Sequence, residues 1–141
     1  MKIVEQEILT AVKYLLTGKV NETLSDSDYA LPLIEFSDSE NESVVCPVIS
    51  LSACEQSEKE RIIRLDTYIL TIAFAFPEKP ESELYCYAYS GAVSRAFYNN
   101  PTLSGVVDKA VVTGKRYTTP KKAYCGDSWG LVINVRLTVE R

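Results

Sequence analysis

From Arg64 to Phe76 the chain carries two apolar faces at once. Tyr68, Leu70, Ile72, Phe74 and Phe76 fall on one side of an extended strand, and Leu65, Ile69, Ala73 and Ala75 fall on the other. Both faces need cover, which makes this segment a central strand of a sheet. The clearest alternation comes near the other end. Trp129, Leu131, Ile133, Val135, Leu137 and Val139 point one way, and Asn134, Arg136, Thr138 and Glu140 the other.

The remaining elements follow from periodicity and breakers. Val4, Ile8, Ala11, Val12 and Leu15 predict an amphipathic helix over 3–16, with Gly18 as its stop. Asn21 to Tyr29 is polar and acidic and reads as loop, Leu31 to Phe36 as a short strand beginning at a proline, and Val44 to Leu51 as a second strand. Glu55 to Arg61 reads as a charged turn. Glu81 and Glu83 favour a helix start after Pro77 and Pro80, because the first-turn amides carry partial positive charge. That helix runs to about Tyr98. Leu84, Ala88, Ala92 and Ala96 form a small-residue ridge expected to lie close against a sheet, with Tyr85, Tyr89, Val93 and Phe97 beside it. Pro101 ends the helix, Val106 to Thr113 is a further strand, and Gly114 to Lys122 is a basic loop. The order predicts one α+β domain over 1–141, with a mostly antiparallel sheet of about four to five strands and two main helices packed on one face.

Several function classes are disfavoured. The chain has no histidine, which removes Ser/His/Asp and Cys/His catalysis and most metal hydrolases together. Its six glycines form neither GxGxxG nor a lysine-containing phosphate loop. No catalytic residue, metal or cofactor is expected. Cys46, Cys54, Cys86 and Cys125 are widely spaced, without a CxxC pair, and read as reduced thiols in half-buried positions. The longest strongly apolar stretch, Tyr68 to Phe76, is far short of the roughly 20 residues of a membrane helix, and Glu5 and Glu7 interrupt any signal-like region. The expected location is the cytosol of the producing cell, with no membrane partner.

Charge is unevenly placed. The net charge is −4, yet residues 21–60 hold ten acids against Lys59 alone, while residues 61–141 hold eleven bases against seven acids. The segment 37–43, with Asp38, Glu40 and Glu42, lacks any apolar side chain and is expected to be mobile in an isolated subunit. Lys115, Arg116, Lys121 and Lys122 make the opposite patch, suited to a lumen or to the acidic loop of a neighbouring copy. The nine tyrosines suggest stacking on nucleotides, but the overall negative charge opposes direct nucleic-acid binding, and packing or a protein interface suits them better.

The run LYCYAYSGAVSRAFYNNPTLSGVVDKAVVTGKRY, from Leu84 to Tyr117, resembles a pattern of tail terminator and tail completion proteins of long-tailed phages. In these a helix of the type (L/I)Y-x-(L/Y)A-x-x-(A/V)-x-x-(A/V) precedes NPTLxGxVxxAxxTG and a strongly alternating closing strand. Here Asn100, Pro101, Leu103 and Gly105 supply the middle element and Trp129 to Glu140 the strand; Arg64-Leu65-Asp66 before the helix is also similar. The resemblance covers about residues 61–140. It implies a structural protein without turnover: a ring of identical subunits, commonly a hexamer, that caps the finished tail tube and offers a docking surface to a head-completion protein. DNA would pass through without sequence-specific binding, and the subunit would move from the host cytoplasm into the virion tail. A head–tail joining protein of the same fold is the nearest alternative, and a small-molecule-binding module or enzyme the more distant one.

Overall fold

The computed structural model describes residues 3–36, 44–59, 63–77, 79–119 and 128–140. Its N-terminal part is a nearly continuous helical run: α1 (Val4–Leu15), a π-helical turn (Leu16–Val20) and α2 (Asn21–Ser25). Helix therefore extends into the segment whose polarity suggested loop, and Gly18 sits inside the π turn instead of ending α1. The reason lies in the apolar spacing. Ile8, Val12, Leu16, Val20 and Leu24 recur every four residues and are all buried. On a helix of 3.6 residues per turn, such a stripe drifts by about 40° at each step. A π turn accommodates one extra residue and takes up that drift, keeping Leu24 on the core side.

The main sheet contains β3 (Val48–Lys59), β4 (Ile63–Pro77), β5 (Lys109–Thr118) and β6 (Ser128–Glu140) in the order β3-β4-β6-β5, each neighbour antiparallel. A separate two-residue parallel pair joins β1 (Leu33–Ile34) to β2 (Val44–Val45). The fold is α+β with helices on one face of a four-stranded antiparallel sheet. β4 stands between two strands, as expected of a central strand, but only its Tyr68–Phe76 face is covered by helices; Leu65, Ile69 and Ala73 are half-buried and Ala75 is exposed on the other. β4 and β5 run in the same direction and are joined through α3 (Ser82–Asn99), and β6 fills the slot between them. β6 thus reaches the middle of the sheet although it is last in the chain.

Several strand boundaries differ from those the residue pattern suggests. Leu31 to Phe36 pairs only over Leu33–Ile34, and Val44 to Leu51, expected as one strand, divides into β2 and the start of β3 at Val48. Glu55 to Lys59, expected within a charged turn, belong to β3, which stays paired with β4 through Lys59↔Ile63; Glu60 and Arg61 lie outside the described residues. β5 begins at Lys109 instead of Val106 and takes in Gly114, Lys115, Arg116 and Tyr117, which read as loop. β3 and β5 are edge strands, where polar side chains meet water and so leave no apolar signature.

The core lies between the helices and one face of the sheet. Tyr68, Leu70, Ile72, Phe74 and Phe76 of β4 and Leu131, Ile133, Val135 and Leu137 of β6 are buried there. From α3, Tyr89 meets Phe74 and Phe76 at ring-centroid distances of 5.5 and 5.1 Å, and Tyr85 meets Phe76 edge-on at 6.0 Å. Each large side chain buried in this way contributes on the order of 1.5–3 kcal/mol. The Tyr89 hydroxyl donates to the Pro32 carbonyl, so the ring that seats α3 also holds the approach to β1. The ridge of α3 is turned differently from expectation: Ala88, Ala92 and Ala96 line a crevice shared with Lys19, Leu24 and Leu31. Small side chains there admit the N-terminal helical run, while the aromatic side of α3 takes the sheet.

Candidate functional site

Helices cover only one face of the sheet, and the sheet has two free edges among the described residues. Edge β3 ends in a stretch whose residues Ser52 to Glu58 are all exposed, including Glu55 and Glu58. Edge β5 carries exposed Lys109, Lys115 and Arg116. Each edge has one bulge, at Ser52 in β3 and at Thr113 in β5. A bulge adds local twist and reverses which residues face the helices. Beyond Thr113, Lys115 stands opposite Ile133 on the helix side, and Arg116 stands opposite Val132 on the open side.

Beside β5, α3 leaves a shallow groove of about 680 Å³ lined by Phe97, Tyr98, Ala110 and Val112, with Arg95, Lys109 and Lys115 at its margins. Tyr98 is 85% exposed at one end. At the other end Tyr117 shares a hydrogen bond of 2.9 Å with Ser90 and meets the Tyr87 ring edge-on at 5.3 Å. Tyr87 donates to Glu83 at 3.2 Å, and that bond raises the pKa of its hydroxyl above the ordinary tyrosine value. The exposed tyrosines and Arg95 around this apolar strip are residue types enriched at protein interfaces.

The turn between α3 and β5 is built by the residues the sequence singles out. Asn100 closes α3 twice, its main-chain N–H bonding the Phe97 carbonyl at 3.2 Å and its side-chain amide the Ala96 carbonyl at 2.9 Å. Pro101 cannot continue the helix. Leu103, Ser104 and Gly105 then adopt three successive left-handed conformations, with φ of 49°, 59° and 88°. The Thr102 carbonyl accepts from both Gly105 and Val107, and Leu103 is buried. Asp108 bonds the Thr138 carbonyl through its N–H at 2.9 Å and accepts from the Glu140 N–H at 2.6 Å, fastening the start of β5 to the end of β6. Between this turn and α1 lies a wider, half-open groove lined by Gln6, Thr10, Tyr14, Leu103, Ser104 and Val106. Its polar lining mixes amides, hydroxyls and charged groups, among them Glu7, Lys19 and Glu22.

Asn100, Pro101, Leu103 and Gly105 are therefore brought together in one turn. Lys115 and Arg116 are placed in a strand, on opposite sheet faces, and so do not form part of a single basic loop surface. Lys121 and Lys122, like Asp38, Glu40 and Glu42, lie outside the described residues. The charges Glu55, Glu58 and Lys109 on the edges, and Arg95 on α3 beside β5, were not singled out by the residue pattern. Nothing local marks them, because which strands form the edges depends on β6 inserting between β4 and β5.

Of the cysteines, Cys46 and Cys54 are exposed free thiols and Cys86 is a buried free thiol; Cys125 lies outside the described residues. Burial, reinforced by nearby Glu83, pushes the Cys86 thiol up to about 11, which suits a core side chain and not a nucleophile. Asp66 is 1% exposed on the helix side of β4 and is held by the Arg64 guanidinium at 3.2 Å. Among the described residues no group of Cys, Asp and Glu has the geometry to hold a metal ion, and no helix is long and apolar enough to cross a membrane. The sequence matches no protein-family model and no protein among those with curated descriptions.

Proposed function

We propose that this chain is a structural subunit of a long-tailed phage or prophage, a tail terminator that assembles as a ring on the finished tail tube and presents the surface to which the head joins. The observation that carries this reading is the unit formed by α3, its turn and β5. The residues that resemble the terminator pattern, Asn100, Pro101, Leu103 and Gly105, build one turn that leads a helix seated on the sheet into an edge strand. A turn of this construction fixes where an edge and its flanking tyrosines stand, which is what a subunit in a closed assembly needs.

On this reading the protein performs no turnover, binds copies of itself, the tube protein and a head-completion protein, and lets DNA pass without reading its sequence. It acts in the host cytoplasm during assembly and remains in the virion tail. The test is electron microscopy of particles made without this chain. Overlong or uncapped tails are expected. Normal capped tails lying beside full heads would make it a joining protein instead, and intact infectious particles would remove it from morphogenesis altogether.

A further inference from the structure

We infer that copies of this chain join head to tail through their sheet edges, β5 of one copy pairing with β3 of the next, so that the assembly contains one sheet running through successive subunits. The inference rests on the self-assembly reading above and assigns its interface. Four observations carry it.

The first is direction. Strands alternate through β3-β4-β6-β5, so β5 and β3 run opposite ways within a subunit. A second copy added beside β5 in the same orientation brings its β3 there antiparallel, with its helices on the same face as those of the first copy. The second is charge. Glu55 and Glu58 line edge β3, and Lys109, Lys115 and Arg116 line edge β5, with Arg95 of α3 next to it. Pairing like edges, β3 with β3 or β5 with β5, would set like charges side by side, whereas unlike edges attract.

The third is register. Glu55 pairs with Thr67, Thr67 with Thr138, and Thr138 with Lys109, a single row across the sheet. Continuing that row without stagger puts Glu55 of the next copy directly beside Lys109, both side chains on the open face. The fourth is shape. The bulge of β3 follows Leu51, in the row of Leu70 and Val135, and the bulge of β5 follows Val112 in that same row. The two edges therefore bend at matching heights. In this arrangement Leu51, half-buried in its own subunit, comes level with Val112 at the groove between α3 and β5.

Unlike edges make a heterologous contact, which closes into a ring or extends as a filament but does not stop at a symmetric dimer. Three variants test it: Lys109→Glu, Glu55→Lys and the double exchange, each checked for fold by circular dichroism and sized by sedimentation velocity up to about 1 mM protein, a range that reaches even weak contacts. The expected result is that each single reversal weakens association at least tenfold and the double exchange restores it to within about threefold of the parent. Assembly of the parent chain that is indifferent to all three variants, or that stops at a dimer, overturns edge pairing and leaves self-assembly standing. A parent chain that stays monomeric throughout overturns both edge pairing and autonomous self-assembly, leaving tail capping to be judged from the particles.

Discussion

The side chain of Asn21 is bonded to both main-chain groups of Ile34: its amide nitrogen donates to the Ile34 carbonyl at 2.9 Å, and its amide oxygen accepts from the Ile34 N–H at 2.8 Å. One side chain thus plays the part of a neighbouring strand and ties the first residue of α2 to the short pair β1·β2. The same nitrogen also reaches the Thr17 carbonyl at 3.0 Å, inside the π turn.

Removing this amide leaves two part-buried main-chain groups without their partner. Asn21→Ala is expected to destabilise the protein by about 1–3 kcal/mol in urea denaturation. Asn21→Asp keeps the acceptor for the Ile34 N–H but sets a carboxylate against the Ile34 carbonyl, so it should be no better than alanine despite its similar shape. Hydrogen exchange at the Ile34 amide should rise in both variants. Unchanged exchange would mean that the bond does not hold β1 in place.

That bond also shows where the sequence was legible and where it was not. β4 and β6 announced themselves because a strand inside a sheet must bury alternate residues whatever its partners are. α2 did not, because Asn21, Glu22, Thr23 and Ser25 are polar and only Leu24 continues the buried stripe, and the stripe stays in phase only through the π turn. The candidate site was legible at the turn, where Pro101 and Gly105 have local conformational meanings. It was not legible at Lys109 or Glu55, whose places on the two sheet edges come from the order of strands, a property of chain topology that no window of residues contains.

The turn carries conformational strain of a readable kind. Gly105 at φ 88° has open space where a Cβ would stand, so Gly105→Ala costs stability through its backbone alone, about 1 kcal/mol. Ser104 at φ 59° is exposed and not a glycine. Asparagine tolerates that region better, so Ser104→Asn should stabilise by about 0.5 kcal/mol. Opposite signs at adjacent residues, measured by thermal melts, would locate the effect in backbone conformation. Equal signs would contradict it.

Stability should be level in the physiological range and fall in alkali. With no histidine, no side chain of ordinary pKa changes charge between about pH 5 and 8. In the folded chain burial pushes the Cys86 thiol up to about 11 and, with the hydrogen bond to Glu5, the Tyr68 hydroxyl up to about 12; burial raises Tyr89 as well. For each group the folded state favours the neutral form. The stabilisation is complete below the unfolded values of about 9 for the thiol and 10 for the phenols, and it is lost as pH rises through the folded ones. Melting temperatures should be flat from pH 6 to about 8.5 and fall above 9. Cys86→Ala should melt lower at neutral pH yet decline less steeply between pH 9 and 10.5 or so, since its thiol no longer titrates. A decline as steep as the parent's would take Cys86 out of the alkaline transition.

Salt dependence separates the two surfaces on which copies of the chain can meet. The open sheet face offers half-buried Leu65, Ile69, Ala73 and Val132 among threonines, and contact through it would be driven mainly by removal of apolar area from water. Pairing of the edges would instead be made by main-chain hydrogen bonds and unlike charges. Surface charges separated by more than a Debye length, roughly 10 Å at 0.1 M salt, are largely screened, and closer exposed pairs are weakened too. Raising sodium chloride from 50 to 500 mM should therefore reduce association severalfold if edges pair, with Lys109→Glu abolishing most of that dependence. Sodium sulfate strengthens apolar contacts by exclusion from protein surface. Association that grows with sulfate, ignores chloride and is lost in Ile69→Asp would instead place the contact on the open face, and the row from Glu55 to Lys109 would then have no part in assembly.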